Sequence, residues 1–229
     1  MDSNNKFSPE LATRKISGKL LEKCKILWIP NTYFLGYFPQ LAARQRMPEK
    51  TPKRFPLADR YIDETMSASQ MNPDIEAFLD KLSSPDFIPK KTIQDKVEQS
   101  IAELRRREYF CEVKIADYVE DNIFGNRLFY SQNHPTPQVL MEVARRILRA
   151  IGMRSDNFFQ YRELIDWTNV NFSLIGQDIP LYPSVTKFFD IRNERYVYFA
   201  NRGLWDFHGN FREFQREYIK QWWADKFEE

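Results

Sequence analysis

Apolar positions along this chain recur mostly at helical spacing, broken by a few runs too short for a helix. Ile93, Val97, Ile101 and Leu104 fall on one face of a long helix that Thr92 is placed to cap. Val139, Leu140, Val143, Ala144, Ile147, Leu148 and Ile151 form a second such face, predicted to be buried. Thr136 and Pro137 open that helix as N-cap and first-turn residue, and Gly152 supplies its stop. Weaker periodicity predicts helices over 8–24, 57–69, 73–82, 113–121 and 184–189. A terminal helix over 210–227 carries Phe211, Phe214, Tyr218, Ile219 and Trp222. The run Lys25-Ile26-Leu27-Trp28-Ile29-Pro30 reads as a buried strand, and 128–131 and 196–199 as further strands. Residues 44–56, basic and punctuated by Pro48, Pro52 and Pro56, read as a surface loop, and 193–195 as a tight turn. The pattern predicts an α/β protein, a helix-dominated single domain over 1–229 with a few short strands.

Composition narrows the chemistry. With 19 Phe, 11 Tyr and 5 Trp in 229 residues, the aromatic segment Thr32 to Pro39 must pack against the core or line a pocket. Only 7 glycines are present, and neither G-x-G-x-x-G nor G-x-x-x-x-G-K-[ST] occurs, which argues against classical dinucleotide and P-loop folds. The 34 basic and 32 acidic residues leave a net charge of +2, too small an excess to favour nucleic acid or an anionic membrane. Cys24 and Cys111 make no zinc pattern and fit a reducing compartment. The polar N-terminus and the lack of a long apolar run predict a soluble, cytoplasmic protein without a membrane span.

His134 is the most informative residue. It lies between a predicted strand end and a helix N-terminus, directly after Asn133. Helix N-termini present unpaired N–H groups and partial positive charge, and an imidazole there can serve as a general base. The competing reading is a turn histidine that hydrogen-bonds locally, and His208, just before the terminal helix, has the same reading. Arg145, Arg146 and Arg149 lie opposite the apolar stripe of their helix, either as a solvated face or as phosphate contacts. Arg105, Arg106 and Arg107 have the same two readings, but three consecutive helical positions point in different directions. Cys111, beside Phe110, reads as a buried thiol, and Cys24 lacks a reactive signature. Metal ligation is not expected from two histidines without metal-ligand spacing.

Leu128-Phe129-Tyr130-Ser131-Gln132-Asn133-His134-Pro135, followed by an amphipathic helix ending in glycine, resembles the WcbI-type proteins of capsular polysaccharide biosynthesis. Three further segments fit in order: Ile29 to Pro39, Glu103 to Glu108, and Ile179 to Val185. The resemblance implies a mostly helical acyltransferase, an O-acetyltransferase using coenzyme A or acetyl-CoA on a sugar or polysaccharide precursor. It makes His134 the base, oriented by Asn133. Arginines such as Arg145, Arg146 and Arg149 would then meet the coenzyme's phosphates. The family's Gly-Asn-Cys-Gln motif, which supplies its nucleophilic cysteine, does not occur in this sequence. The chain is therefore expected to be shortened at its N-terminal end relative to the family, and either an active transferase or a non-catalytic ligand-binding or interaction domain derived from one.

Overall fold

A computed structural model of the protein describes residues 24–43, 61–63, 74–153, 179–191, 197–200, 205–208 and 210–217, with Gly18, Thr65 and Ile219 as single positions. The elements among them are β1 (Leu41–Ala43), β2 (Tyr61–Asp63), α1 (Ile75–Leu82), α2 (Lys90–Glu108), α3 (Ala116–Asn122), β3 (Phe129–Ser131), β4 (His134–Pro135), α4 (Pro137–Ala150), α5 (Pro183–Phe189), β5 (Val197–Ala200) and β6 (Trp205–His208). Residues 211–217 are helical as well. The strands pair antiparallel as β1–β2, β3–β4 and β5–β6, each pair a sheet of its own. The fold is a helix-dominated α/β arrangement.

The long helix α2 buries Ile93, Ile101 and Leu104, with Val97 packed against the same core, as its periodicity predicts. Its start differs from expectation. Pro89 is the N-cap and Lys90 the first helical residue, so Thr92 lies inside the helix and caps nothing. The C-terminal end of α2 sets up the next helix. Buried Glu108 accepts hydrogen bonds from the N–H groups of Ile115 (2.7 Å) and Ala116 (3.0 Å). It thereby satisfies donors at the start of α3, whose own N-cap Ile115 has no capping side chain.

The aromatic segment packs into the core. Phe34, Tyr37 and Phe38 are fully buried. The Phe34 ring stacks on Phe129 of β3 (centroids 5.2 Å apart) and meets Tyr37 edge-on at 5.1 Å. Gly36 permits this packing: a Cβ there would lie 2.4 Å from Cζ of Phe34. The Tyr37 hydroxyl reaches the carbonyls of Ile123 (2.9 Å) and Asn126 (2.7 Å), so its polar end is satisfied inside the core. One core cluster runs from Phe34 to Ile219 and includes Phe211 and Phe214 of the terminal helix.

Several further expectations are corrected. Residues 24–30 form no strand. Trp28 gives its N–H to the carboxylate of Glu112 (2.7 Å) and takes the Val113 N–H on its carbonyl (3.3 Å). With one bond spent on a side chain, no ladder propagates. The helix expected over 57–69 is interrupted by β2, in which Ile62 pairs with Ala42. His208 is in a strand, opposite Val197, rather than in a turn. On α4, only Val139 of the expected apolar face is fully buried, while Leu140 (49%) and Ile151 (46%) are exposed. Helix boundaries also shift at α3, which begins at Ala116 rather than at Val113.

The helix expected over 8–24 lies outside the described residues except at Gly18 and Cys24, as do the loop at 44–56, the turn at 193–195 and the terminal helix at 218 and over 220–227. Among the described residues, no helix is long and apolar enough to cross a membrane.

Gly152 ends α4 as expected. Its φ is +79°, and the N–H of Met153 reaches back to the carbonyl of Leu148 (2.9 Å). Gly152→Ala meets no steric neighbour but must hold a left-handed backbone. The expected cost is about 1–2 kcal/mol, read as a lower urea midpoint at unchanged m-value. An unaltered midpoint would show that the helix end relaxes freely.

Candidate functional site

The site is built on the tight turn between β3 and β4. Gln132 and Asn133 form the turn, and Ser131 pairs directly with His134 across it. Two contacts hold the turn from outside. The N–H of Phe34 donates to the Gln132 carbonyl (2.8 Å), and the N–H of Thr136 donates to the Leu128 carbonyl (2.9 Å). Arg127 adds a clamp beneath: its guanidinium donates to the carbonyls of Phe129 and Tyr130 (both 3.1 Å) and of Ile179 (2.5 Å).

His134 is partly buried, and burial pushes its imidazole below the ordinary value of 6.5, toward the neutral form that can accept a proton. Its Nδ1 lies 2.5 Å from Oγ of Ser131, a fully buried residue. The same hydroxyl lies 3.2 Å from Oδ1 of Asn133. The structure thus joins His134 and Asn133 through Ser131, a residue the sequence reading left unassigned. The signal available in the sequence was the two-residue spacing, which as a hairpin places Ser131 opposite His134.

Two polar atoms on residues flanking His134 in sequence lack partners. Gln132 and Thr136, two positions to either side of His134, are 7% and 6% exposed, and the Gln132 Oε1 and Thr136 Oγ1 atoms are buried without a hydrogen bond. Thr136 is the N-cap of α4 but makes no side-chain cap, and Pro137 follows at the first helical position. The first N–H groups of a helix have no acceptor within it.

The three arginines of α4 do not share one environment. Arg145 donates through Nε to the Glu142 carboxylate (2.6 Å). Arg146 donates to the same carboxylate (2.6 Å), to Asp117 of α3 (2.6 Å) and to the Lys114 carbonyl (3.0 Å). Burial raises the Glu142 carboxyl, but the two guanidinium hydrogen bonds outweigh it and hold the group below its usual range. Two arginines and two acids therefore make a neutral network tying α4 to α3. Arg149 is exposed and has no ion pair among the described residues.

The arginines of α2 diverge as their spacing requires. Arg105 pairs with Glu120, whereas Arg106 and Arg107 share Glu103. Chiefly through the Arg106 hydrogen bond, against the opposing effect of burial, the Glu103 carboxyl falls to about 2.

Neither cysteine joins the histidine. Cys111 is buried, with Sγ 3.6 Å from the Arg107 carbonyl, and burial pushes its thiol up, assisted by the nearby carboxylates of Glu112 and Glu108. An inert thiol follows. Cys24 is exposed and precedes Lys25, whose ammonium donates to the carbonyl of Ala150 at the far end of α4. His134 is at the opposite end, and a helix of this length spans about 20 Å. Among the described residues no cluster of His, Cys, Asp and Glu suits a metal ion.

The chain belongs to a family of polysaccharide biosynthesis enzymes. Its model, described as polysaccharide biosynthesis enzyme WcbI, matches residues 3–156. A solved structure of WcbI, described as a novel polysaccharide biosynthesis enzyme, superposes with a TM-score of 0.68 at 19% identity, over 93% of this chain and 68% of that one. That structure is described as the native protein without a disulfide between coenzyme A and one of its cysteines. No curated protein sequence matches this chain.

Proposed function

We propose that this protein is a cytoplasmic, single-domain acyltransferase of polysaccharide biosynthesis, an O-acetyltransferase that draws its acyl group from coenzyme A and passes it to a sugar hydroxyl. The observation that carries the reading is the neutral, partly buried imidazole of His134, held at a helix N-terminus by Ser131 and Asn133. Family membership and the coenzyme A named for the WcbI structure support the choice of carrier.

The residues present fit that carrier's amide-bearing arm. Gln132 Oε1 can accept an amide N–H, and Thr136 Oγ1 can bond an amide at either end, so both buried atoms gain partners. Of the three arginines proposed for its phosphates, Arg149 meets an anion without breaking an ion pair, whereas Arg145 and Arg146 would have to leave Glu142. The bound coenzyme would supply an activated acyl thioester. His134 takes the proton of the acceptor hydroxyl as its oxygen forms the new ester bond, then delivers that proton to the departing sulfur. In this reading the N–H groups of Gln138 and Val139 at the start of α4 would be the donors for the charge that builds on the carbonyl oxygen.

Calorimetric titration with coenzyme A tests the carrier, with transfer from acetyl-CoA to sugar acceptors measured alongside. Saturable binding, retained in His134→Gln, together with acyl transfer by the wild type alone is the expected result. No binding at millimolar coenzyme would overturn the reading. Binding without transfer to any acceptor would favour a non-catalytic ligand-binding domain instead.

A further inference from the structure

The geometry points to Ser131 as a positioning residue that, with Asn133, holds His134 in the tautomer whose Nε2 is the base. This deepens the transferase reading and rests on it for the use of that nitrogen, but not for the tautomer itself.

A hydroxyl carries one proton, and Oγ of Ser131 has two polar neighbours. Oδ1 of Asn133, 3.2 Å away, can only accept, so the Ser131 proton goes to it. In the proposed relay Oγ accepts from Nδ1 of His134 at 2.5 Å, which places the imidazole proton on Nδ1. Nε2 is left with a bare lone pair. Free histidine prefers the opposite tautomer, with the proton on Nε2, so the relay reverses the intrinsic preference. Ser131 is fully buried, so bulk water does not compete for its hydroxyl. The hairpin register fixes the relay sterically as well, because Ser131 and His134 are cross-strand partners on a two-residue turn.

The sequence has two histidines, which makes the test direct. In the 15N-labelled full chain, long-range proton–nitrogen correlation spectra show which ring nitrogen is protonated, and His134→Gln assigns the signals by deletion. Each protein is measured above its imidazole pKa. The wild type is expected to show Nδ1–H and unprotonated Nε2 at His134. Ser131→Ala and Asn133→Leu should shift the population toward Nε2–H, with His208 unmoved as an internal reference. Asn133→Asp, which keeps a pure acceptor, should retain Nδ1–H. Nε2–H in the wild type, as the reversed Asn133 amide would give, overturns the proposal. So does an unchanged tautomer in Ser131→Ala, or, if that variant does not fold, in Asn133→Leu. The readout needs neither coenzyme nor acceptor, so failure of the titration above would leave this result standing, and the reverse also holds.

Discussion

His134→Ala is expected to lower acyl transfer by about 10²–10⁴-fold, the usual contribution of a positioned general base. Coenzyme binding should persist, because in the proposed step the imidazole only relays a proton from acceptor to sulfur and does not hold the carrier. The side chain is only partly buried, so the thermal midpoint should move little. The pH profile gives an independent readout. Burial lowers the His134 pKa below 6.5, so the active neutral form persists into mildly acidic solution, and the rate falls as pH drops through that lowered value. The same shift has a stability consequence of definite sign. The unfolded chain takes up this proton more readily, so the contribution is fully present above the unfolded pKa. It is lost as pH falls through the folded one. A variant that retains transfer within a few-fold of wild type, or an acid limb above 6.5, would remove His134 from the chemistry.

Phe34→Ala should have the largest effect on stability, about 3–5 kcal/mol, the range for a buried Phe replaced by Ala. The ring is fully buried between Phe129 and Tyr37, and it folds back over Gly36 with too little space for any larger residue there. Its removal takes away the stacking surface under β3, the strand that ends in Ser131. The urea midpoint should fall sharply, and transfer should decline even at temperatures where the variant is folded, because the hairpin loses its floor. A loss under about 1 kcal/mol would mean that the core closes over the gap. Full activity in the folded variant would uncouple this packing from the site.

What the sequence made legible here was mostly local. The stripe on α2 and the glycine stop of α4 depend on residues within a few turns of each other, and both were readable. The hairpin histidine was legible by position, and its family context by the order of four segments. The pairing of 41–43 with 61–63 was not, since strands of three residues carry too little alternation to signal a partner about twenty positions away. The run at 25–30 has the composition of a strand, but strand formation needs a ladder, and Trp28 bonds a carboxylate instead. The arginines of α4 lie where their spacing puts them, yet spacing gives a face and not its neighbour. Asp117, 29 positions upstream of Arg146, makes that face an ion-pair seam with α3 rather than a solvated one. Ser131 escaped notice because its role depends on a turn that reverses the chain within two residues.

The Arg127 clamp bears on the open side of β3. A three-residue strand such as β3, paired on one side only, offers the carbonyls of its open side to any extended segment of another molecule. Arg127 occupies the carbonyls of Phe129 and Tyr130, and the Tyr130 carbonyl also takes the N–H of Ile179 at 2.8 Å. The guanidinium thus works as an edge guard. The acceptors that an added strand would need are already taken on the strand that leads into the His134 turn.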